Sequence, residues 1–495
     1  MGIILGGYML ENQTTIFEML YPTYKITKPI RLIELFAGYG SQALALKYLG
    51  VDFEHWKICE WAIKSIQAYK DIHFTDSFCG RWVLDIPKEQ IIDFLYKKEI
   101  SSNYNEPMKL EQIKKLKEQQ LYNIYENIII TNNLVNVQKV KGKDLEIVDT
   151  NNYDYILTYS FPCQDLSLAG LGKGMSNTST RSGLLWEVER ILTECKELNT
   201  LPQILLMENV PQVHGEGNVE DFNKWQLRLE ELGYKNYCQD LIATDYGIPQ
   251  TRNRTFMISI LGDYNYTFPK PIPLKLKLKD MLEDNVDEKY YLSDAMIKYI
   301  TKNGEIEPKQ EFNVIDSYNK HLTNSDYSGC VVAGQGRNQG SMLMIKNATE
   351  KGYIKANDGN GIDLLQPNSE TRRGRVQKNA IQTLDTMGGN GKGVVVKPKV
   401  LSGYGKIGST GQYHQQNGIY DDNVSISLTT AFNPYYKNEL IIRKLTPREC
   451  FRLMGVKDTD FDKMKDNQSD NSLYHLAGDS IVVNVLMALF KMLME

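Results

Sequence analysis

Three observations predict an α/β fold, with a mostly parallel sheet carrying helices on both faces, followed by a smaller β- and loop-rich domain. Residues 30 to 60 read as strand, tight turn, helix and strand (IRLIELF, AGYGS, QALALKYLG, then WKICEW), which is one βαβ unit. Two further apolar runs, DYILTYSF ending at Pro162-Cys163 and PQILLM ending at Glu208-Asn209, flank the helical pattern RSGLLWEVERILTEC. Such alternation gives a parallel sheet covered by helices. Between 265 and 440 the texture changes: Gly, Asn, Thr and Ser rise, and short runs such as GVVV and ELII are separated by turn clusters.

Each element then takes its place along the chain. Residues 1–28 are an N-terminal extension, and 29–264 hold the sheet. A Lys- and Glu-rich insert at about 88–150 carries Leu110, Ile113, Leu121, Ile124 and Ile128 at helical spacing, which predicts an inserted surface helix. Residues 265–440 form the second domain, in which IQTLDTMGGNGKGVVV and ISLTTAFNPYYKNELII make a weak internal repeat. The segment 441–495 turns helical again and packs back onto the first domain, leaving two lobes with a cleft.

The chain has 495 residues, 42% hydrophobic and 24% charged, enough for a large core and a second lobe. Its net charge of −4 gives no global basic signature, so a nucleic-acid surface has to come from local clustering. Seven scattered cysteines with no C-x-x-C pair argue against a zinc cluster or disulfide framework, and no metal is expected. The apolar start MGIILGGYML is short and lacks a basic n-region, so neither a signal peptide nor a membrane span is expected and the setting is read as cytoplasmic.

In open α/β sheets ligands bind beyond the carboxyl ends of the strands, so the residues following each strand are the ones to inspect. They are Phe36-Ala37-Gly38-Tyr39-Gly40, Glu60-Trp61, Asp85-Ile86, Pro162-Cys163-Gln164 and Glu208-Asn209. A glycine turn alone is common in folds that bind nothing. Joined to an acid at the end of the next strand, Glu60, it suits a nucleoside with ribose hydroxyls, and Asp85 would accept from an adenine amine. A lone cysteine is more often a small buried hydrophobe than a nucleophile. Cys163 differs in following a strand and a stiffening proline, and a thiolate there needs a cation, for which Arg252 and Arg254 on alternate positions of one strand are available. Glu208, at the mouth of a buried strand, suits a proton donor or is an ordinary salt-bridged glutamate.

Together SFPCQDLS, LLMENV, YGIPQTRNR and the closing LTPRECFRLMG with LAGDSIVV resemble, in order and spacing, the motifs of cytosine-C5 DNA methyltransferases. The resemblance runs from about residue 30 to the end, except for the middle of the second domain. It implies a Rossmann-like, S-adenosylmethionine (SAM)-dependent methyltransferase with S-adenosylhomocysteine as product, whose second domain is the target-recognition domain. It assigns Cys163 as nucleophile, Glu208 as the group at the ring nitrogen, and Arg252 and Arg254 as their partners, with Arg252 binding the base carbonyl. Phe36, Gly38, Tyr39, Gly40, Glu60, Trp61, Asp85, Ile86, Pro162, Leu185, Asp479 and Ser480 would form the cofactor pocket. The partner would be double-stranded DNA, functionally a cognate restriction endonuclease as well, and the enzyme a monomer in a bacterial or phage-infected cell.

DNA contacts are expected at Gln164, Gln250, Arg372, Arg373, Arg375 and Lys378, the last four from a local basic run at 372–406 with Asp385 its single acid. One departure stands out: Gly478-Asp479-Ser480 carries a carboxylate where the family usually has an amide, a charge that would weaken cofactor binding. The rivals are an RNA-acting relative, against which the long variable region speaks, and a binding protein without catalysis, against which the intact Cys163, Glu208 and Arg252 speak.

Overall fold

The computed structural model describes residues 22–75, 77, 81–162, 182–291, 301–306, 343–346, 348–349, 353–356, 359–365, 369, 371, 373–384, 392–396 and 441–495. Two compact units are present, Met1–Lys275 with Phe451–Glu495, and Leu276–Cys450. The first unit extends past the expected break at 264 because its next residues stay tied down. The buried Tyr266 donates to the Leu489 carbonyl, and Ile272 N donates to Asp245 O (2.9 Å).

In the first unit, strands β1 (Ile30–Leu35), β2 (Phe53–Cys59), β3 (Asp154–Tyr159), β4 (Ile204–Asn209), β5 (Tyr234–Ile242) and β6 (Asn253–Leu261) form one sheet in the order β2-β1-β3-β4-β6-β5. The β1–β2, β1–β3 and β3–β4 pairs are parallel and β6 is antiparallel to both its neighbours. This is the doubly wound, mostly parallel sheet that the alternation predicts. Every residue of β3 and β4 is buried, as near-continuous apolar runs in a two-face-covered sheet require. The register sets Leu35 beside Tyr159 and Tyr159 beside Met207, and Asn209 beside Thr255. So the ends of β1 to β4 and the start of β6 share one edge.

Helix α1 (Ser41–Leu49) follows β1 and is closed by Gly50 at φ +71, the left-handed position that a glycine C-cap supplies. Helix α2 (Ile63–His73) follows β2. In the run Leu185–Glu197 the apolar Leu185, Val188, Ile191, Leu192 and Cys195 recur on one face and are all buried. Cys195 is therefore a core residue, as a lone cysteine usually is. Facing the same core, Trp225 donates its indole N–H to Tyr159 Oη (3.2 Å). Each such large apolar side chain stabilises the fold by about 1.5–3 kcal/mol of burial.

The insert is more than one surface helix. Helices Lys88–Lys98, Leu110–Lys114 and Glu118–Ile130 pack with Ile66 of α2 around a core containing Ile91, Leu95, Ile100, Ile113, Leu121, Ile124 and Ile128. The closing segment adds Asp458–Met464, Asp470–Asp479 and Val483–Met494, the last packed against α1. The stretch Asp470–Met494 is apolar and long enough for a membrane span by composition, yet it is mostly buried in the protein.

The second unit is antiparallel. Strands Val376–Gln377, Gly361–Asp363, Lys392–Val396 and Ile441–Lys444 form a four-stranded sheet in that order, and Thr301–Ile306, Leu343–Lys346 and Tyr353–Ala356 a three-stranded one. A buried pair, Arg443 Nη2 to Glu449 Oε1 (2.6 Å), anchors 443–449 here and explains why the chain leaves this unit after Cys450 rather than 440. Most of the second copy of the expected repeat lies outside the described residues.

Candidate active site

The shared strand edge opens on a cavity of about 370 Å³ lined by residues of the first unit. Its first wall is the turn after β1. Phe36 N and Ala37 N both donate to the Cys59 carbonyl (2.8 and 3.3 Å), which ties the turn to the end of β2. Gly38 (φ +56) and Gly40 (φ +81) have different duties. A Cβ at Gly38 would meet nothing, whereas one at Gly40 would collide with Tyr69 and His73 of α2. Gly38 thus faces the cavity, and Gly40 permits close packing behind it.

Glu60 projects from the end of β2 with Oε2 accepting from Gly38 N (3.0 Å) and Oε1 from Ala62 N (2.8 Å). Burial pushes its carboxyl up to about 7, against the backbone N–H groups of Ala62 and Gly38 that favour charge. Phe36 and Trp61 line the cavity beside it.

At the other end, Glu208 of β4 is buried. Ser160 Oγ donates to its Oε2 (2.5 Å), and Arg254 Nε stands 3.1 Å from its Oε1. Asn209 Nδ2 donates to the Phe161 carbonyl (3.0 Å), fastening the loop that leads to Pro162, which also lines the cavity. Cys163 and Gln164 lie outside the described residues.

Several expected residues stand elsewhere. Asp85 is exposed at the end of the short 3-10 helix Arg81–Asp85, and Ile86 packs on the insert core; neither lines the cavity. Val135–Gln138 line it instead. Leu134 N donates to Ile58 O (2.8 Å) and Cys59 Sγ to Val135 O (3.3 Å), so this segment runs beside β2 and brings Asn136 and Val137 to the wall. Tyr39 is buried against Phe451 (5.2 Å between ring centroids), and Leu185 lies in the sheet core while Leu184 reaches the cavity.

Arg252 and Arg254 both line the cavity but divide the work. Arg252 is buried, and its Nη2 donates to the carbonyls of Gly478 (3.1 Å) and Ser480 (2.6 Å). The antiparallel register pairs Glu208 with Phe256, so Arg254, two residues away on β6, reaches Glu208 and Arg252 does not. Asp479 and Ser480 line the cavity as expected, and Asp479 has a partner the sequence did not suggest: His475 Nδ1 at 2.9 Å. Burial works against charge on this imidazole, but Asp479 overcomes it and holds its pKa above the ordinary value.

The expected DNA contacts also divide. Gln250 is fully buried, donating to the Leu453 carbonyl (2.7 Å). Arg375 is 1% exposed, its guanidinium held by the carbonyls of Asp363 and Leu365 inside the second unit. Both are framework residues because backbone carbonyls satisfy their donors. Arg373 and Lys378 are exposed, and Arg372 lies outside the described residues. No group of three or more His, Cys, Asp or Glu suited to a metal occurs among the described residues.

A glycine turn, an acid on the neighbouring strand end and a carboxylate–guanidinium pair along one edge of a parallel sheet define a Rossmann-like methyltransferase. The family model of C-5 cytosine-specific DNA methylase matches residues 112–495, and the chain belongs to that family. It is a DNA (cytosine-5-)-methyltransferase, of a family that uses SAM. It is 31% identical over 472 residues, 94% of this chain and 99% of the relative, to the type II methyltransferase M2.ScrFI of Lactococcus lactis subsp. cremoris. It is 39% identical over 276 residues, 55% of this chain and 69% of the relative, to the orphan methyltransferase M.SssI of Spiroplasma monobiae. To the orphan methyltransferase M.SPRI of Bacillus phage SPR it is 26% identical over 513 aligned positions, 94% of this chain and 98% of the relative.

The residues present fit SAM. The cavity has nucleoside-scale volume, a glycine that leaves room for a ligand, flanking aromatic rings and a buried carboxylate able to accept from hydroxyls.

Proposed function

We propose that the chain methylates C5 of a cytosine flipped out of a specific double-stranded DNA sequence, through a covalent bond between Cys163 and C6. The observation that carries this reading is one cavity with Glu60 at one end and the Ser160–Glu208–Arg254 group at the other, next to Pro162.

C5 of cytosine is a poor nucleophile. Addition of the Cys163 thiolate to C6 makes the ring an enamine-like carbon nucleophile. Glu208 protonates or hydrogen-bonds N3, countering the charge that addition creates, and Arg254 both orients Glu208 and presents its remaining donors to the base carbonyl. When bound, SAM supplies an electrophilic methyl group on a sulfonium and departs as the neutral thioether S-adenosylhomocysteine. Water then takes the C5 proton, the electrons of that bond re-form the C5–C6 double bond as the Cys163 thiolate is expelled from C6, and any proton placed on N3 returns to Glu208. Because C6 is inaccessible inside a duplex, the base has to be flipped out. Gly38, Glu60, Trp61 and Asn136 would hold the cofactor, with Asp479 and Ser480 beside them. The setting is the cytoplasm of a bacterium or a phage-infected cell, where the enzyme acts as a monomer, either solitary or with a cognate restriction endonuclease as its functional counterpart. Arg372, Arg373 and Lys378 of the second unit, with Gln164, are its proposed DNA contacts.

DNA containing 5-fluorocytosine tests the chemistry, since fluorine at C5 cannot leave as a proton does. With SAM, the wild-type chain should form a DNA adduct that survives denaturant and the Cys163→Ala variant should not; no adduct from active wild-type protein would contradict the covalent route.

A further inference from the structure

The loop from Ser101 to Glu106 belongs to the insert, yet Tyr104 and Asn105 line the cavity. It is fixed at its base. Ser101 N donates to Trp61 O (2.8 Å) and Ile63 N donates to Ser101 O (2.9 Å), so the loop starts beside the residues that follow Glu60. It is also fixed within. Ser101 Oγ donates to the Glu106 carbonyl (2.8 Å), and Asn103 Oδ1 accepts from Asn105 N (3.0 Å) and Glu106 N (3.2 Å), an arrangement that holds a tight turn.

At the tip Tyr104 takes φ +63, a region that residues with a Cβ avoid unless their surroundings impose it. What the turn achieves is the placement of the ring. Tyr104 stacks on His475 with centroids 4.0 Å apart and planes 13° from parallel, and His475 is in turn held by Asp479. Ser65 Oγ of α2 donates to the Tyr104 hydroxyl (3.4 Å). Glu60, Ser65, Tyr104, His475 and Asp479 all face the same cavity.

We propose that Tyr104 is a cofactor-binding residue contributed by the insert, its ring propped by His475 to form the wall beside Glu60 against which the nucleoside of the cofactor packs. The inference rests on the reading of this cavity as the SAM site. An aromatic ring held in place offers a nucleoside a large apolar surface with little conformational entropy left to lose. The insert is therefore part of the active site as well as a covering for α2.

Calorimetric titration of the full chain with S-adenosylhomocysteine tests this without relying on turnover. Glycine accepts the left-handed backbone freely, so Tyr104→Gly removes the ring and leaves the turn unstrained. Its dissociation constant should rise about tenfold or more, while Tyr104→Phe, which keeps the ring and loses only a long hydrogen bond, should stay within about threefold of wild type. The ligand-free melting temperatures of all three proteins show that the fold persists. Wild-type affinity in Tyr104→Gly would overturn the inference, as would equal losses in both variants. Failure of the wild-type chain itself to bind would instead overturn the cofactor reading and this inference with it.

Discussion

Ser160 Oγ donates to Glu208 Oε2 at 2.5 Å, from the end of the neighbouring parallel strand. With Arg254 on the other oxygen, each oxygen of this buried carboxyl has one partner that fixes its orientation, and its remaining positions are left for the ring nitrogen. Hydrogen bonds to a charged group contribute about 1.5–3 kcal/mol.

Ser160→Ala should therefore lower kcat by about ten- to a hundredfold while leaving the KM for SAM within about twofold, because Ser160 orients Glu208 rather than the cofactor. Ser160→Thr, which keeps the hydroxyl, should recover most of the rate. Steady-state kinetics on a methylatable duplex gives both numbers, and a rise in KM alone would contradict this role.

Arg252 and Arg254 should fail differently. Arg254→Ala leaves Glu208 buried without its cation and removes a donor from the base, so single-turnover methylation should fall by about a thousandfold and stability by about 3 kcal/mol, with S-adenosylhomocysteine binding near wild type. Arg252→Ala frees the carbonyls of Gly478 and Ser480 and should cost about 3 kcal/mol of stability, with weaker S-adenosylhomocysteine binding. Titration with S-adenosylhomocysteine and the single-turnover rate separate the two.

The two glycines of the first turn offer a second contrast. Gly40→Ala collides with Tyr69 and His73 and should destabilise the protein by about 2–3 kcal/mol. Gly38→Ala meets no atom and should cost only about 1 kcal/mol of backbone strain, yet its methyl group enters ligand space and should weaken cofactor binding. Equal melting temperatures for both variants would contradict the assignment.

Cofactor affinity should depend on pH through Glu60. Burial holds its carboxyl at about 7 in the free protein. Ligand hydroxyls donating to it favour the charged form, so binding lowers this pKa and releases a proton. Affinity should then rise as pH increases from 5.5 through about 7 and level off above, by less than about tenfold per pH unit. Titrations in buffers of different ionisation enthalpy measure the proton directly, and Glu60→Gln should abolish its release.

The parts of this cavity that depend on strand ends were legible in the sequence: Gly38, Glu60, Pro162 and Glu208 follow from apolar runs and what terminates them, and Arg254 from its alternation with Arg252. Asn136 was not. The helical insert separates it from β2, and it reaches the sheet edge through a single bridge, Ile58 with Asn133, too short to leave a period-two pattern. Asp85-Ile86, read as a strand-end block, instead closes the short helix Arg81–Asp85 away from the cavity. Tyr104 and His475 meet only through tertiary packing. Gln250 and Arg375 misled for a different reason: residue type suggests surface, but backbone carbonyls in the interior satisfy their donors, and no local pattern records that.

The central claim is tested most directly by expressing the chain in cells that lack cytosine methylation and sequencing their DNA by a method that reads 5-methylcytosine at single-base resolution, beside a Cys163→Ala control. The account predicts methylation confined to one short sequence motif and absent from the control. Unmodified DNA from cells containing soluble wild-type protein, or methylation that persists in the Cys163→Ala strain, would contradict it.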